Sequence, residues 1–304
     1  MNLEAFKKWI RAHPGLESTA YLLHNNLFPF LNFSGTSLRD RSLDESATYV
    51  LSVAERYRSA AQFLGRSLED TTVLEVGPGD NLAVALCLVA GGARGVVCID
   101  RFNCLTELHR NRAIYRAVLD RISEEERRRA VEGCPWCLDP KTSLDKGAIT
   151  YLPNVTLEQC ASVLAAGGFD CALSNAALEH VKDVVAGIVA MGTVLAPDGW
   201  MFHEVDFRCH GRFAGISALH FLTIPEVRWQ AMGANLGAPN RSRINTYRRV
   251  FRNLGFACHE DVREQCDRAV AEAVFPHVDP AVGAECVEDL MPLVVRFAME
   301  RKRS

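Results

Sequence analysis

Hydrophobic residues in the middle of the chain fall into short runs rich in β-branched residues, and stretches with helical spacing separate most of these runs. The runs share the length of a typical strand, and they lie at residues 71–76, 95–100, 148–152, 169–174 and 199–206. Strand and helix patterns that alternate in this way predict a parallel sheet with helices on both faces. We therefore expect an α/β fold with a doubly wound, mostly parallel sheet, which C-terminal strands after residue 256 complete to seven.

The first part of the chain differs from the middle, because its apolar residues follow helical spacing. The segment "LEAFKKWI" places apolar residues on one face of a predicted helix, which the following "HPG" is expected to end. A second, longer amphipathic helix is predicted from Leu43 to Gly65, with usual boundary signals at both ends. We therefore expect residues 1–70 to form an N-terminal helical cap or lid on a core formed by residues 71–304.

The connection between the second and third predicted strands is too long for one crossover helix. It contains "ISEEERRRAVEG", which predicts a charged helix, followed by "CPWC" in a turn, so residues 103–147 are interpreted as an insertion. After residue 206 the pattern predicts a long irregular segment, and then a helix over "INTYRRVFRNLGF" that ends at Gly255. The last strand is predicted in the middle of "DLMPLVVRFAMERKR".

A glycine-rich turn follows the first predicted strand, in "TTVLEVGPGDNLAVAL". Gly77 and Gly79 allow a tight turn and leave room for a ligand to approach the backbone. Asp80 and Asn81 lie where the next helix would be capped. Asp100, 21 residues beyond Gly79 at the end of the second predicted strand, has a carboxylate that can accept both hydroxyls of a ribose.

The charge of this turn distinguishes between nucleoside cofactors. A dinucleotide site would have a third glycine where this chain has Leu82, and the acids Glu75 and Asp80 would repel a pyrophosphate and favour a cation. A ligand with a ribose, a positive charge and no phosphate suits the turn better. S-adenosylmethionine has a ribose, a sulfonium and an ammonium group, so the residues favour it over NAD.

Four segments resemble, in order and spacing, the motifs of the class I S-adenosylmethionine-dependent methyltransferases. They are "LEVGPGDN", "CIDRF", "FDCALSNAALEHVKD" and "VLAPDGWMFHEVD", and the resemblance covers about residues 71–256. A narrower likeness, in "HEVDFRCHGRF", "EVRWQAMG" and "PNRSRINTYRRVFRNLGF", is to a bacterial subgroup associated with small-molecule, glycan or secondary-metabolite pathways. Two positions depart from these patterns: Asn81 replaces a glycine, and Cys209 replaces the aspartate of an Asp-His pair.

The resemblance implies a Rossmann-like sheet, and it assigns cofactor contacts residue by residue. Glu75, Gly77 and Gly79 would hold the methionine part of S-adenosylmethionine. Asp100 would hold the ribose, and Arg101 would lie beside the adenine. The floor near the sulfonium would be formed by two residues at the end of the fourth strand, Asn175 and Ala176.

Methyl transfer to a hydroxyl or a protonated amine needs a base, and histidine suits that task because its pKa lies near neutrality. Four histidines lie in the strand-end regions of the predicted core: His180, His203, His210 and His220. His210 is the first candidate, because acceptors enter after the fifth strand in the resembled family, and His180 is the second. His180 could instead brace its loop together with Glu179, and His203 could equally be a core histidine.

Two acids in the fifth strand, Glu204 and Asp206, share a face because side chains alternate along a strand. They could bind an amine, or they could pair with Arg208 or Arg212.

The "NRSR" run offers a second set of acceptor contacts. Asn240, Arg241 and Arg243 could recognise an acidic or polyol acceptor, since a guanidinium matches carboxylate geometry. They could equally pin their own loop through hydrogen bonds. The predicted substrate-binding set is therefore His203 and Asp206 together with Asn240 and Arg241.

Composition limits the remaining choices. The formal net charge of −3 gives no electrostatic attraction to nucleic acid or to an anionic membrane, so neither is expected as a partner. The longest apolar run, at residues 82–93, is shorter than the roughly 20 residues that span a bilayer. The 11 cysteines, and a first segment that carries charges and no signal-peptide pattern, predict free thiols and a cytoplasmic location.

Cys134 and Cys137 have the spacing of a zinc or redox pair, but a structural zinc needs two more ligands, and no second pair with this spacing exists. Cys104 or His109 could contribute, although nothing in the spacing demands it, and no metal is expected. The aromatic-rich N-terminal helices could cover an acceptor pocket or form a homodimer contact.

The function expected from these observations is methyl transfer from S-adenosylmethionine to an oxygen or nitrogen of a small molecule, natural-product or sugar-like. Methylation of a glycan or of a carrier-bound intermediate is an alternative. A third possibility is a non-catalytic protein that binds S-adenosylmethionine as a sensor or partner subunit.

Overall fold

A computed structural model describes residues 13–27, 38, 41–105, 107–209, 217–233 and 239–301. Seven strands form one sheet, and their bounds are β1 (Thr72–Val76), β2 (Gly95–Asp100), β3 (Ile149–Pro153), β4 (Phe169–Asn175), β5 (Leu195–Asp206), β6 (Phe256–Gln265) and β7 (Pro292–Arg301). The five strands predicted from apolar runs coincide with β1 to β5, and the C-terminal strands complete the sheet as expected. The α/β fold class is therefore confirmed.

The order of the strands in the sheet is β3-β2-β1-β4-β5-β7-β6. Strands β1 to β5 pair in parallel, whereas β7 lies antiparallel between β5 and β6. The order reverses beside β1, between β2 and β4, and in open parallel sheets ligands bind at the carboxyl ends of the strands at such a reversal. The mostly parallel, Rossmann-like sheet is thus the arrangement that the sequence predicts.

Helices of four residues or more connect and flank these strands within the described residues. Their bounds are α1 (Pro14–Leu27), α2 (Leu43–Phe63), α3 (Ala83–Ala90), α4 (Leu108–Leu119), α5 (Glu124–Gly133), α6 (Cys160–Val163), α7 (Val184–Val194), α8 (Glu226–Gly233), α9 (Ile244–Asn253), α10 (Arg268–Val274) and α11 (Val287–Leu290). The segment between β2 and β3, which is predicted to be an insertion, contains α4 and α5. The segment after β5, predicted as irregular, contains α8. No described helix combines the length and the apolar character needed to cross a bilayer.

The two N-terminal predictions have different outcomes. The long helix predicted from Leu43 is confirmed as α2, and Ser42 begins it with a capping box that includes Glu45. Pro14 begins α1, where its fixed φ and missing N–H suit a first helical position. The expectation that "HPG" ends the preceding helix stays a prediction. The helix predicted over "LEAFKKWI" lies outside the described residues, and a cap boundary at residue 70 stays a prediction.

Two apolar layers, one on each face, pack helices against the sheet. One layer joins α2, α3, α4 and α5 to one face, where Tyr57 of α2 contacts Phe202 of β5 edge-to-face at 5.9 Å. The other joins α7 and α9 to the opposite face. Because α2 packs directly on the sheet, its polar residues can reach the carboxyl ends of β4 and β5.

Candidate cofactor and acceptor site

The glycine turn after β1 needs glycine for two physical reasons. Gly77 and Gly79 have φ angles of +70° and +75°, a region that other residues rarely adopt. In addition, a Cβ atom on Gly77 would lie 2.7 Å from the Cβ atom of Ala177, which follows β4. The glycine turn therefore touches the turn after β4, and the two turns form one continuous surface at the carboxyl edge of the sheet.

Asn81, which replaces the glycine of the resembled family, has a structural role at the start of α3. Its buried Oδ1 accepts the N–H of Ala83 at 2.7 Å, and its Nδ2 donates to Asn111 Oδ1 at 3.1 Å. The residue at the N-cap position is Leu82, which makes no side-chain cap hydrogen bond, so Asn81 lies one residue before the cap. Asn111 in turn donates to the carbonyl of Asp80 at 2.9 Å. The insertion helix α4 thus fixes the glycine turn, a contact that sequence reasoning missed.

Asp100 lies at the end of β2, close to the glycine turn. Its carboxylate accepts the N–H of Phe102 at 2.9 Å and also a backbone hydrogen bond from Gly79. Burial raises the pKa of Asp100 to about 6, and these two hydrogen bonds oppose that shift. The neighbouring Arg101 places its guanidinium over the ring of Phe102, 5.0 Å from the centroid. An acceptor of hydroxyl groups is therefore present where the sequence predicts the ribose.

Glu75 lies two residues before the glycine turn and is almost fully buried. The thiol of Cys98 donates to its Oε2 at 3.4 Å. Burial raises the pKa of Glu75 to about 7, so a nearby cation would stabilise its charged form. A buried carboxyl beside a turn of bare backbone fits a cationic nucleoside better than a pyrophosphate.

Asn175, the last residue of β4, contacts α2 through both ends of its amide. Arg56 donates to its Oδ1 at 2.7 Å, and its Nδ2 donates to the hydroxyl of Tyr49 at 3.0 Å. Ala176 follows with a φ of +50°, and its N–H donates to the carbonyl of Glu204 at 2.9 Å. The structure therefore brings the two predicted floor residues next to the glycine turn, and it adds Tyr49 and Arg56 to that place.

A polar row crosses the sheet at this level, because Asn175, Glu204 and Arg296 occupy paired positions on β4, β5 and β7. Glu204 Oε2 accepts Arg296 Nε at 2.6 Å, and Arg56 Nε lies 3.4 Å from the same oxygen. Glu204 was expected to bind an amine or to pair with Arg208 or Arg212; its partners are instead two other arginines. Sequence reasoning missed Tyr49, Arg56 and Arg296 because no local motif marks them.

Asp206 pairs with a neighbour that the sequence suggested. Arg208 donates Nε and Nη2 to the two carboxylate oxygens of Asp206, each at 2.8 Å, and donates Nη1 to Glu264 at 2.7 Å. This two-bond ion pair favours the arginine partner over an amine ligand for Asp206. Arg212 lies outside the described residues.

The four candidate histidines lie in different environments. His203 is fully buried, its Nδ1 lies 2.7 Å from Ser174 Oγ, and burial lowers its pKa to about 3. This environment favours a core histidine over an acceptor contact. His180 ends a 3-10 turn and its N–H donates to the carbonyl of Ala177 at 2.9 Å, so it lies beside the glycine turn. Burial lowers the pKa of His220, and His210 lies outside the described residues.

The "NRSR" run is engaged with the protein itself. Asn240 Nδ2 donates to the carbonyls of Leu178 and Val181, each at 2.9 Å, and thereby holds the turn that carries His180. Arg241 is 3% exposed and donates to backbone carbonyls and to Glu226. These contacts favour the loop-pinning interpretation over direct recognition of an acceptor.

Arg243 is fully buried at the base of the same run. It donates to the carbonyls of Phe207, Leu290 and Pro292 at 2.8–2.9 Å, and so ties the end of β5 to the start of β7. The surrounding protein lowers its pKa to about 10 by desolvation. A guanidinium in this position is structural.

Cys134 and Cys137 are buried free thiols; Cys134 precedes a 3-10 turn, Pro135–Cys137, and Cys137 ends it. Burial raises the pKa of Cys134 to about 12 and that of Cys137 to about 11. Among the residues that the structure describes, no three His, Cys, Asp or Glu side chains cluster in a way that could hold a metal ion.

Comparison with known proteins gives one family match and many structural matches. A family model described as "Methyltransferase domain" matches residues 49–261. A solved S-adenosylmethionine dependent methyltransferase from Mesorhizobium loti is 16% identical, with a TM-score of 0.43, over 83% of this chain and 100% of that chain. Phosphoethanolamine N-methyltransferase 2 of Haemonchus contortus, solved with S-adenosyl-L-methionine, is 12% identical, with a TM-score of 0.46, over 94% and 57%. No curated protein matches.

Proposed function

We propose that this protein methylates an oxygen or nitrogen of a small-molecule acceptor, natural-product or sugar-like. The proposal starts from the family, because the chain belongs to the methyltransferase domain family and is a class I S-adenosylmethionine-dependent enzyme. The observation that carries the acceptor class is the cover formed by α2. Tyr49 and Arg56 of this helix bond Asn175 at the carboxyl edge of the sheet, directly beside the glycine turn. An acceptor at this place would lie under a helix, which suits a small molecule better than a macromolecule.

The chain's own residues hold the cofactor in this proposal. Glu75, Gly77 and Gly79 hold the methionine part, with the Glu75 carboxylate near the cationic end. Asp100 accepts the ribose hydroxyls, and Arg101 lies beside the adenine. S-adenosylmethionine, when bound, supplies a methyl carbon attached to a good leaving group.

Catalysis then depends mainly on alignment of the acceptor with that methyl carbon. Asn175 and Ala176 form the floor, and Asn240 keeps the following turn in place. An acceptor hydroxyl or protonated amine must also lose a proton, and we assign that proton to an imidazole nitrogen of His210 or His180. Of these two, His180 lies on the turn that contacts the glycine turn.

The first test is calorimetric titration with S-adenosylmethionine, S-adenosylhomocysteine and NAD, on the wild type and on Asp100→Ala. We expect micromolar binding of the first two ligands and no binding of NAD. Affinity for the first two should fall about 100-fold in the variant, because the ribose hydroxyls then lose the carboxylate that accepts their hydrogen bonds. Binding of NAD alone would return the glycine turn to the dinucleotide class and overturn the proposal.

A screen of small-molecule acceptors with radiolabelled cofactor then tests the acceptor class and the base. His180→Ala and His210→Ala are compared with His277→Ala, which changes an exposed histidine on a 3-10 turn. The variant that removes the base should lose about 100-fold or more in turnover while its cofactor affinity stays unchanged. Unchanged turnover in both variants would remove histidine from the mechanism.

A further inference from the structure

The polar row at the carboxyl edge contains more positive than negative charge. Two guanidinium groups, from Arg56 and Arg296, share the single carboxylate of Glu204. A third, from Arg41, lies over the ring of Tyr49 at 4.3 Å. The nearby Glu179 does not balance them fully, because burial raises its pKa well above the ordinary value and favours its neutral form. Among the described residues, this edge thus has surplus positive charge.

Arg296 also has hydrogen-bonding capacity that the protein leaves unused. Its Nε bonds Glu204, but its two terminal nitrogens make no hydrogen bond to any residue that the structure describes. The side chain is 25% exposed and that of Glu204 is 16% exposed, so the pair is accessible from solvent. The paired N–H groups of a guanidinium match the two oxygens of a carboxylate or phosphate.

The position of Arg296 places it on the acceptor side of the site. It lies on β7, three strands from β1, which at the usual strand spacing is about 14 Å from the strand that leads into the glycine turn. Arg56 spans the middle of this distance, because it contacts both Asn175 on β4 and Glu204 on β5. A ligand bound by Arg296 would thus lie beside the methionine end of the cofactor and not within its binding turn.

We propose that Arg56 and Arg296 bind an anionic group, carboxylate or phosphate, of the methyl acceptor, and that Glu204 competes with this group for the two guanidiniums. The inference rests on the proposed function, since it names the acceptor class of the same site. It makes Arg296 a specificity-determining residue. It also explains why a carboxylate with two arginine partners remains partly exposed at a ligand-binding edge.

A purely structural role for the three residues predicts a different pattern. If the ion pairs only hold α2, β5 and β7 together, loss of either charge weakens the same contact, and both kinds of variant should impair the site. Competition between Glu204 and the anion predicts instead that the two kinds of variant change the affinity for the anion in opposite directions. Removal of an arginine charge lowers the affinity for an anion, whereas removal of the Glu204 charge raises it.

The experiment measures binding of three small probes by calorimetry: benzoate, phenyl phosphate and the uncharged benzamide. Each is titrated with and without saturating S-adenosylhomocysteine into the wild type, Arg296→Met, Arg296→Lys and Glu204→Gln. The control is Arg268→Met, which removes an exposed arginine that also has two carboxylate partners, Glu272 and Glu288, but lies on α10. Binding of S-adenosylhomocysteine to each variant is recorded as well.

We expect benzoate or phenyl phosphate to bind the wild type and Arg268→Met equally, and benzamide to bind neither. Affinity for the anion should fall about tenfold or more in Arg296→Met and rise about threefold or more in Glu204→Gln, since charge-assisted hydrogen bonds are lost or released. Arg296→Lys keeps the positive charge but loses the paired N–H groups of the guanidinium, so its affinity for the anion should lie between those of the wild type and Arg296→Met. The stronger of the two anions identifies carboxylate or phosphate as the recognised group.

Three outcomes would overturn the inference. The first is absence of anion binding to the wild type, and the second is a fall in anion affinity in Glu204→Gln as in Arg296→Met. The third is a parallel loss of S-adenosylhomocysteine affinity in Arg296→Met, which would assign the arginine to the cofactor's own carboxylate. Failure of the proposed function is a separate result, because it requires that the wild type does not bind S-adenosylhomocysteine.

Discussion

The part of the site proposed to hold the cofactor (the cofactor half) and the part proposed to hold the acceptor (the acceptor half) are built in contrasting ways. The cofactor half takes its main groups from one strand–turn–helix–strand unit, with Glu75, Gly77 and Gly79 close in sequence to Asp100. The acceptor half joins Arg56 to Asn175 across 119 positions and Glu204 to Arg296 across 92. A local unit can be recognised as a motif, whereas groups that meet only through strand order cannot.

The two halves also differ in their electrostatics. Burial raises the pKa values of Glu75 to about 7 and of Asp100 to about 6, so the cofactor half contains acids that titrate near neutrality. In the acceptor half, Glu204 lies beside two guanidiniums. We therefore expect the titration of Glu75 and Asp100 to make the cofactor half sensitive to pH, and anions to act mainly on the acceptor half.

Gly77→Ala should have the largest effect, because it damages the contact between the two halves. The new Cβ meets the Cβ of Ala177 at 2.7 Å, and φ is +70°, so we expect the free energy of unfolding to fall by about 2–4 kcal/mol. Chemical denaturation measures that change. Cofactor affinity, measured by calorimetry, should fall as well because the glycine turn moves.

Two matched variants separate the clash from the backbone strain. Gly283→Ala also introduces a Cβ at positive φ, +69°, but meets nothing within 4 Å, so it should cost only about 1 kcal/mol. Ala177→Gly, combined with Gly77→Ala, should restore the part of the stability lost to the clash. Equal losses in Gly77→Ala and Gly283→Ala would mean that the contact with Ala177 is unimportant.

Glu75→Gln tests the titration assigned to the cofactor half. The folded protein holds the Glu75 proton up to a pH of about 7, whereas an unfolded chain releases it near 4.5, so the wild type's free energy of unfolding falls as pH rises between these values. The difference between wild type and variant should change by roughly 3 kcal/mol across that range. Denaturation at a series of pH values gives the slope.

The upper part of this range isolates Glu75, since Asp100 titrates at about 6. Gln62→Ala, which changes an exposed and uncharged side chain of α2, is the control and should leave the slope as in the wild type. A slope that is the same in Glu75→Gln and in the wild type would contradict the assignment.

Asn175→Ala should have the smallest effect on stability and should separate the two halves functionally. It removes the hydrogen bonds from Arg56 and to Tyr49, which we expect to cost about 1–2 kcal/mol of unfolding free energy. Because these bonds hold α2 against the proposed acceptor site, KM for the acceptor should rise about tenfold. The cofactor dissociation constant should rise less, because Asn175 is proposed to form only the floor near the sulfonium. Steady-state kinetics and calorimetry measure the two quantities.

Asn245→Ala is the matched control, because Asn245 also donates its amide to a partner, the carbonyl of Gly283, but lies on α9. It should leave both constants unchanged. A cofactor dissociation constant that rises as much as KM in Asn175→Ala would show that the two halves are not separable.

The sequence predicted what local physical chemistry determines. The β-branched runs located β1 to β5. The glycines with the spaced acid Asp100 led to the prediction that the cofactor binds at the carboxyl edge of the sheet. The sequence did not reveal that Asn111 of the insertion holds Asn81 and the glycine turn, or that Tyr49 and Arg56 reach Asn175. These contacts depend on how the helices pack on the folded sheet. The spacing of residues along the sequence does not reveal that packing.

The histidines and the "NRSR" run show that the sequence also suggested functional roles for residues that packing has buried. Both were candidates because they are polar and lie in or after predicted strands, yet His203 is enclosed by the core and the side chain of Arg241 is 3% exposed. Burial depends on what packs on top of a residue. Composition and spacing could therefore identify these residues as candidates but could not distinguish a catalytic or binding role from a structural one.

The place of β7 in the sheet has a consequence for the growing polypeptide. Arg296 lies on β7, and Arg243 ties the start of that strand, through the carbonyls of Leu290 and Pro292, to the rest of the sheet. Because chains fold progressively as they leave the ribosome, the cofactor half can assemble once β1, β2 and the turn after β4 have emerged. The acceptor half must wait for β7. We therefore expect a nascent chain to become able to hold the methyl donor well before it can recognise what it methylates.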